Sequence, residues 1–69
     1  MRYVVIIEPG ADGSFSAYVP DLPGCVSCGD TVEEVKGLIR EAIESHIDSL
    51  RAHQEPVPQP ASVACEIEV

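Results

Sequence analysis

From Arg2 to Glu8 the chain is dense in β-branched and aromatic residues, and Pro9, Gly10, Asp12 and Gly13 follow as turn formers. This predicts a strand over 2–8 and a hairpin loop. Residues 14–19 then alternate, with Phe15, Ala17 and Val19 on one face and Ser14, Ser16 and Tyr18 on the other, as in a half-buried second strand. Pro20, Asp21, Leu22, Pro23 and Gly24 fix φ twice and supply one residue free to take positive φ, which makes a rigid loop whose role is architectural. A short third strand is expected over Cys25 to Cys28.

After Gly29 the period changes from two to 3.6. Asp30 or Thr31 can cap a helix, Thr31 and Glu34 have capping-box spacing, and Glu33 and Glu34 sit favourably in the first turn against the dipole. Val32, Val35, Ile39, Ala42, Ile43, His46 and Leu50 form one apolar stripe, with Leu38 and Ile47 at its margins, on a helix of about 22 residues. Gly37 lies opposite the stripe and costs about 1 kcal/mol relative to alanine. Residues 54–62, with Pro56, Pro58 and Pro60, cannot continue the helix and read as an extended tether. Alternation resumes over 63–69, where Val63, Cys65, Ile67 and Val69 would face inward on a fourth strand.

The element order βββαβ predicts an α+β fold in one domain spanning residues 1–69. Two hairpins and a right-handed crossover put the last strand parallel to the first and beside it, giving a mixed four-stranded sheet of order 3-2-1-4 covered by one helix. The first strand, apolar on both faces, reads as central. One helix covers one face only, so Val4, Ile6 and Tyr18, with Val26 as a further candidate, form a candidate self-association face on the other. A chain of 69 residues hides only about 60% of the surface its unfolded form exposes. A homodimer or tetramer is therefore expected.

Charge narrows the partners. Twelve acids against four bases give a net charge of −8 and a pI near 4.3. Binding to a phosphate backbone needs the opposite balance, so no direct nucleic-acid binding is expected, and a basic protein is the natural partner. The longest apolar run, Tyr3 to Ile7, is far shorter than the roughly 18 residues of a membrane span. With no export signal read in the sequence, a cytoplasmic location is expected, and the three cysteines Cys25, Cys28 and Cys65 read as reduced thiols.

Four blocks now stand in order: Asp12-Gly13-x-Phe15-x-Ala17, then Pro20-Asp21-Leu22-Pro23-Gly24-Cys25, then Gly29-x-Thr31-x-Glu33-Glu34, and Glu41-Ala42-Ile43. Their identity and spacing, with the Pro-rich stretch after the helix, resemble the HicB-like antitoxins over residues 3 to 60. The resemblance implies a partial RNase H-like βββαβ fold, in agreement with the element order. It also implies a non-catalytic role, the binding and silencing of a small basic HicA-type mRNA-cleaving toxin. Many members of that family carry a C-terminal helix-turn-helix or ribbon-helix-helix segment for operator binding; the sequence to Val69 holds none, so DNA autoregulation through such a segment is not expected.

Candidate chemistry changes this picture little. Cys25-x-x-Cys28 on a strand would aim its thiols to opposite faces, which does not make a metal site, and a buried Cys25 is the simpler reading. Cys28, just ahead of a helix N-terminus, is the one thiol whose position raises the question of reactivity, but no fast reaction with a disulfide reagent is expected of it. His46 lies in the apolar stripe and His53 near the helix end, without a spacing that implies a nucleophile or an orienting carboxylate; a half-buried His46 bonded near the sheet rim is expected. A degenerate RNase H-like metal-dependent hydrolase would use Glu8, Glu66 and Glu68, but the helical acids Glu34, Glu41 and Asp48, spaced by seven, fall on the solvent side and do not converge with them. An orphan dimeric binding domain is the other alternative. No cofactor, metal or catalytic residue is assigned. Glu34, Glu41, Glu44 and Asp48 form an acidic ridge that would suit a basic toxin, with Lys36, Arg40 and Arg51 on the opposite flank.

Overall fold

The computed structural model describes all 69 residues. Three short strands, β1 (Ile6–Pro9), β2 (Phe15–Tyr18) and β3 (Val26–Gly29), are followed by one helix, α1 (Val32–Ala52). The sheet is antiparallel throughout, in the order β1-β2-β3. It is therefore an α+β fold, but the expected mixed four-stranded sheet of order 3-2-1-4 is not formed. β2, not β1, is central, and residues 63–69 belong to no strand.

Local chemistry explains the strand lengths. Ile6 pairs with Tyr18, the last residue of β2, and Pro20 has no N–H to extend the ladder, so residues 2–5 continue the line of β1 without a partner. The first strand thus begins four residues later than its composition suggests. Inward residues keep the expected parity, with Ala17 and Val19 buried and Phe15 and Ile7 packed at the margin of the core.

The loop between β2 and β3 is two turns in succession. The Leu22 N–H donates to the Val19 carbonyl at 3.0 Å and the Cys25 N–H to the Leu22 carbonyl at 3.1 Å, with Pro20 and Pro23 each in the second position of its turn. Gly24, at φ +84°, takes the third position of the second turn, where a side chain would be strained. The Val19 N–H closes the ring onto the Cys25 carbonyl at 3.2 Å. This geometry drives Leu22 into the core, where it is fully buried along with Val19 and Cys25.

Thr31 is the helix cap, its hydroxyl accepting from the Glu34 N–H at 3.0 Å. Gly29 stands where the chain enters the helix: a Cβ there would lie 3.1 Å from the Val35 nitrogen, so the tight strand-to-helix approach needs glycine. Val35 and Ile39 are buried as the stripe predicts, and Ile47, placed at its margin, is buried as well. Val32 and Leu38 are more than a third exposed. At the other end the His53 Nδ1 lies 2.8 Å from the Ser49 carbonyl, so it bonds there as an N–H donor, and Gln54 takes positive φ to end the helix.

The helix packs chiefly on β3 and on β2. It leaves the inner side of β1 only partly covered. No helix is long and apolar enough to cross a membrane.

Candidate functional site

No single cleft gathers reactive side chains; three surfaces and one anchored segment carry the features with functional potential. The first surface is the solvent side of α1. Glu34, Glu41, Glu44 and Asp48 line it among the bases Lys36, Arg40 and Arg51, and the row Glu34, Glu41 and Asp48 recurs every seven residues, rising about 10.5 Å per step. The expected separation of these acids and bases onto opposite flanks fails for Glu44: its Oε1 accepts from the Arg40 Nε at 3.3 Å, one helical turn away, and both lie with Lys36 on the flank that faces β1. Lys36 and Glu33 make a looser pair at 3.8 Å. Exposed pairs of this kind contribute well under 1 kcal/mol, so the row of three is the part of the ridge whose charge is left uncompensated.

The second surface is the outer face of the sheet. The register places Ile6 opposite Tyr18 and Tyr18 opposite Val26, so these three side chains form a row across all three strands. Tyr18 is 41% and Val26 64% exposed, and Val4 and Ile6 are half-buried. The next row, Glu8, Ser16 and Cys28, is exposed and polar. Val26, the further candidate for this face, is placed in the row by the register between β2 and β3.

The third surface is a groove of about 550 Å³ between β1 and α1. Tyr3, Val5 and Ile7 line one wall and Ile39, Ile43 and Ile47 the other, with Lys36, Arg40 and Glu44 at the rim. It exists because α1 leans toward β3 and because nothing pairs with the outer edge of β1.

The tether after α1 is held at two points. The Tyr3 hydroxyl donates to the Pro58 carbonyl at 2.6 Å. Further on, Asp21 receives the N–H groups of Ala61 and Ser62, each at 3.0 Å, and the Ser62 hydroxyl at 2.9 Å. The two backbone bonds hold the Asp21 carboxyl below the usual carboxylate range. Asp21 is thus more than a loop former, a role that the turn chemistry of its neighbours does not disclose.

The cysteines and histidines are dispersed. Cys25 is buried and Cys28 exposed, as opposite-facing positions require, and burial pushes the Cys25 thiol up. His46 is half-buried beside Cys25, Val26 and Ala42, but its ring makes no hydrogen bond, unlike the rim bond expected for it. The carboxylates of the hydrolase alternative are not assembled: Glu8 is on β1, whereas Glu66 and Glu68 lie in the extended segment after the tether. No group of three or more His, Cys, Asp or Glu side chains is placed to hold a metal ion.

The chain as a whole is similar to known proteins. Residues 3–68 match the model of the HicB-like antitoxins of bacterial toxin–antitoxin systems. A UPF0150 protein of Synechocystis is 49% identical over 58 residues, which cover 84% of this chain and 73% of that protein. A second, from Thermoplasma acidophilum, is 44% identical over 59 residues and 86% of both chains. Antitoxin HicB 1 of Photorhabdus laumondii is 32% identical over 63 residues, covering 91% of this chain but 41% of its own length. The chain belongs to the HicB-like antitoxin family of bacterial toxin–antitoxin systems.

Proposed function

We propose that this protein is an antitoxin that binds a small basic HicA-type mRNA-cleaving toxin in the cytoplasm and silences it by covering its RNA-binding surface, without chemistry of its own. The observation that carries the reading is family membership over nearly the whole chain. Charge supports it: at −8 the chain repels RNA and attracts a basic protein, so the antitoxin and the RNA compete as two polyanions for one basic surface. The row Glu34, Glu41 and Asp48 is the part of α1 best suited to meet such a partner, with Glu44 beside it in its pair with Arg40. The apolar row Ile6, Tyr18 and Val26, with Val4, is the candidate self-association face.

Stopped-flow association with the purified toxin tests the ridge. Charge reversal of Glu41 and Asp48 to lysine should slow association roughly tenfold at low salt, with the difference shrinking as salt rises. Equal rates for the variant and the original chain at low salt would remove the ridge from the interface.

A further inference from the structure

Backbone hydrogen bonding leaves two segments of this chain without partners, and they match each other. No backbone–backbone bond involves residues 1–5, although Tyr3, Val4 and Val5 are half-buried, and none involves residues 56–69. Residues 63–69 make no hydrogen bond of any kind. Their apolar members are nonetheless presented to solvent, with Val63 89% and Ile67 79% exposed. Unpaired strand backbone beside half-buried side chains and an exposed, alternating apolar segment are both costly to leave in this condition.

The route of the tether decides where the segment can go. Pro58 passes the β1 side of the sheet at Tyr3, and Ala61 and Ser62 are then fastened to Asp21, in the connection between β2 and β3. The chain is thus fastened at the β2–β3 connection before the alternating segment begins, and that segment makes no hydrogen bond to β1 of its own copy. Its shape records the result: the radius of gyration is 13.2 Å, against about 11 Å for a compact domain of this length, and the longest extent is 40 Å.

We propose that residues 63–69 of one copy add as the fourth strand to the free β1 edge of a second copy, and that two chains complete each other's sheets by reciprocal exchange. The lengths agree, since seven residues, 63–69, meet the seven from Tyr3 to Pro9, about 23 Å in either case. The pattern also agrees: Val63, Cys65, Ile67 and Val69 share one face and would fill the groove between Tyr3, Val5 and Ile43, while Glu66 and Glu68 stay on the outer, partly polar face. A two-fold arrangement uses both segments and both edges, so no strand edge of β1 remains open. This interface is separate from the Ile6–Tyr18–Val26 row and does not depend on toxin binding.

Light scattering on the full chain, with and without substitution, is the test. The original protein should have twice the 7.4 kDa chain mass, or four times if the outer face also associates. Ile67→Pro should abolish the exchange and halve the smaller assembly to a monomer, with helical circular dichroism retained because Ile67 is exposed and unbonded within its own copy. Val26→Glu, on the outer face, should leave the exchanged dimer intact. In mixtures of 13C-labelled and unlabelled copies, nuclear Overhauser contacts from the Ile67 methyls to Tyr3 and Ile43 should cross between copies. A monomeric full chain, an Ile67→Pro variant with the same assembly mass as the original, or contacts confined to one copy would overturn the proposal. A segment that docks only when toxin is added would overturn it too and assign the groove to the toxin.

Discussion

Asp21 and Ser62 lie 41 positions apart and are joined twice, the Ser62 N–H reaching one carboxylate oxygen at 3.0 Å and its hydroxyl the other at 2.9 Å. The pair turns a two-proline loop into the anchor of the C-terminal segment. Because the folded carboxyl titrates below its ordinary value of 3.8, the stabilisation is present above that value and is lost as pH falls through the lowered pKa. Limited proteolysis should therefore cut residues 56–69 faster in Asp21→Ala than in the original chain at neutral pH, and the two should converge once Asp21 is protonated. Equal cutting at neutral pH would show that the bonds do not hold the segment.

Leu22 is the side chain that the double turn exists to bury. Leu22→Ala should cost about 2–5 kcal/mol in urea denaturation, a large share of the stability of a chain with only eight buried residues. Gly24→Ala, at φ +84°, should cost about 1–2 kcal/mol without removing any contact. Values near zero for either would contradict the turn assignment.

Thiol titration separates the three cysteines. Cys28 should react with a disulfide reagent in the native protein at the rate of an ordinary exposed thiol, without a fast burst, and Cys25 only after unfolding, since it is buried with its thiol pushed up. Cys65 reports the strand exchange. It should be slow in the original chain and fast in Ile67→Pro.

Thr31→Ala removes the acceptor for the Glu34 N–H and should destabilise the fold by about 1 kcal/mol, measured by the same urea titration. Asp30, the other candidate cap, should be neutral when replaced by alanine; the reverse order would move the helix start.

What the sequence discloses and what it hides follow the range of each interaction. The Thr31 cap, the Val35–Ile39 stripe and the turn-forming residues around Leu22 rest on neighbours in the chain, and all three are legible in its local pattern. The sequence offers Val26 as a candidate for the face of Ile6 and Tyr18, and the register between strands is what puts it in their row. The apolar pattern of β1 on both faces reads as a central strand, yet β1 is an edge, its inner side opening on the groove and its outer side on that row. Residues 63–69 have the alternation of a strand, but their direction depends on the Asp21 bonds across 41 positions. Of the acidic ridge, helical spacing reveals the row of Glu34, Glu41 and Asp48, and it also puts Arg40 one turn before Glu44, on the same flank as its ion-pair partner.

The antitoxin reading is tested most directly by co-expression of this protein with a short basic reading frame that neighbours its gene, scoring growth and co-purification together. Growth arrest by the neighbour alone, rescue by this chain and recovery of the two as one complex are the predicted result. A toxic neighbour that this protein neither neutralises nor retains would contradict that reading.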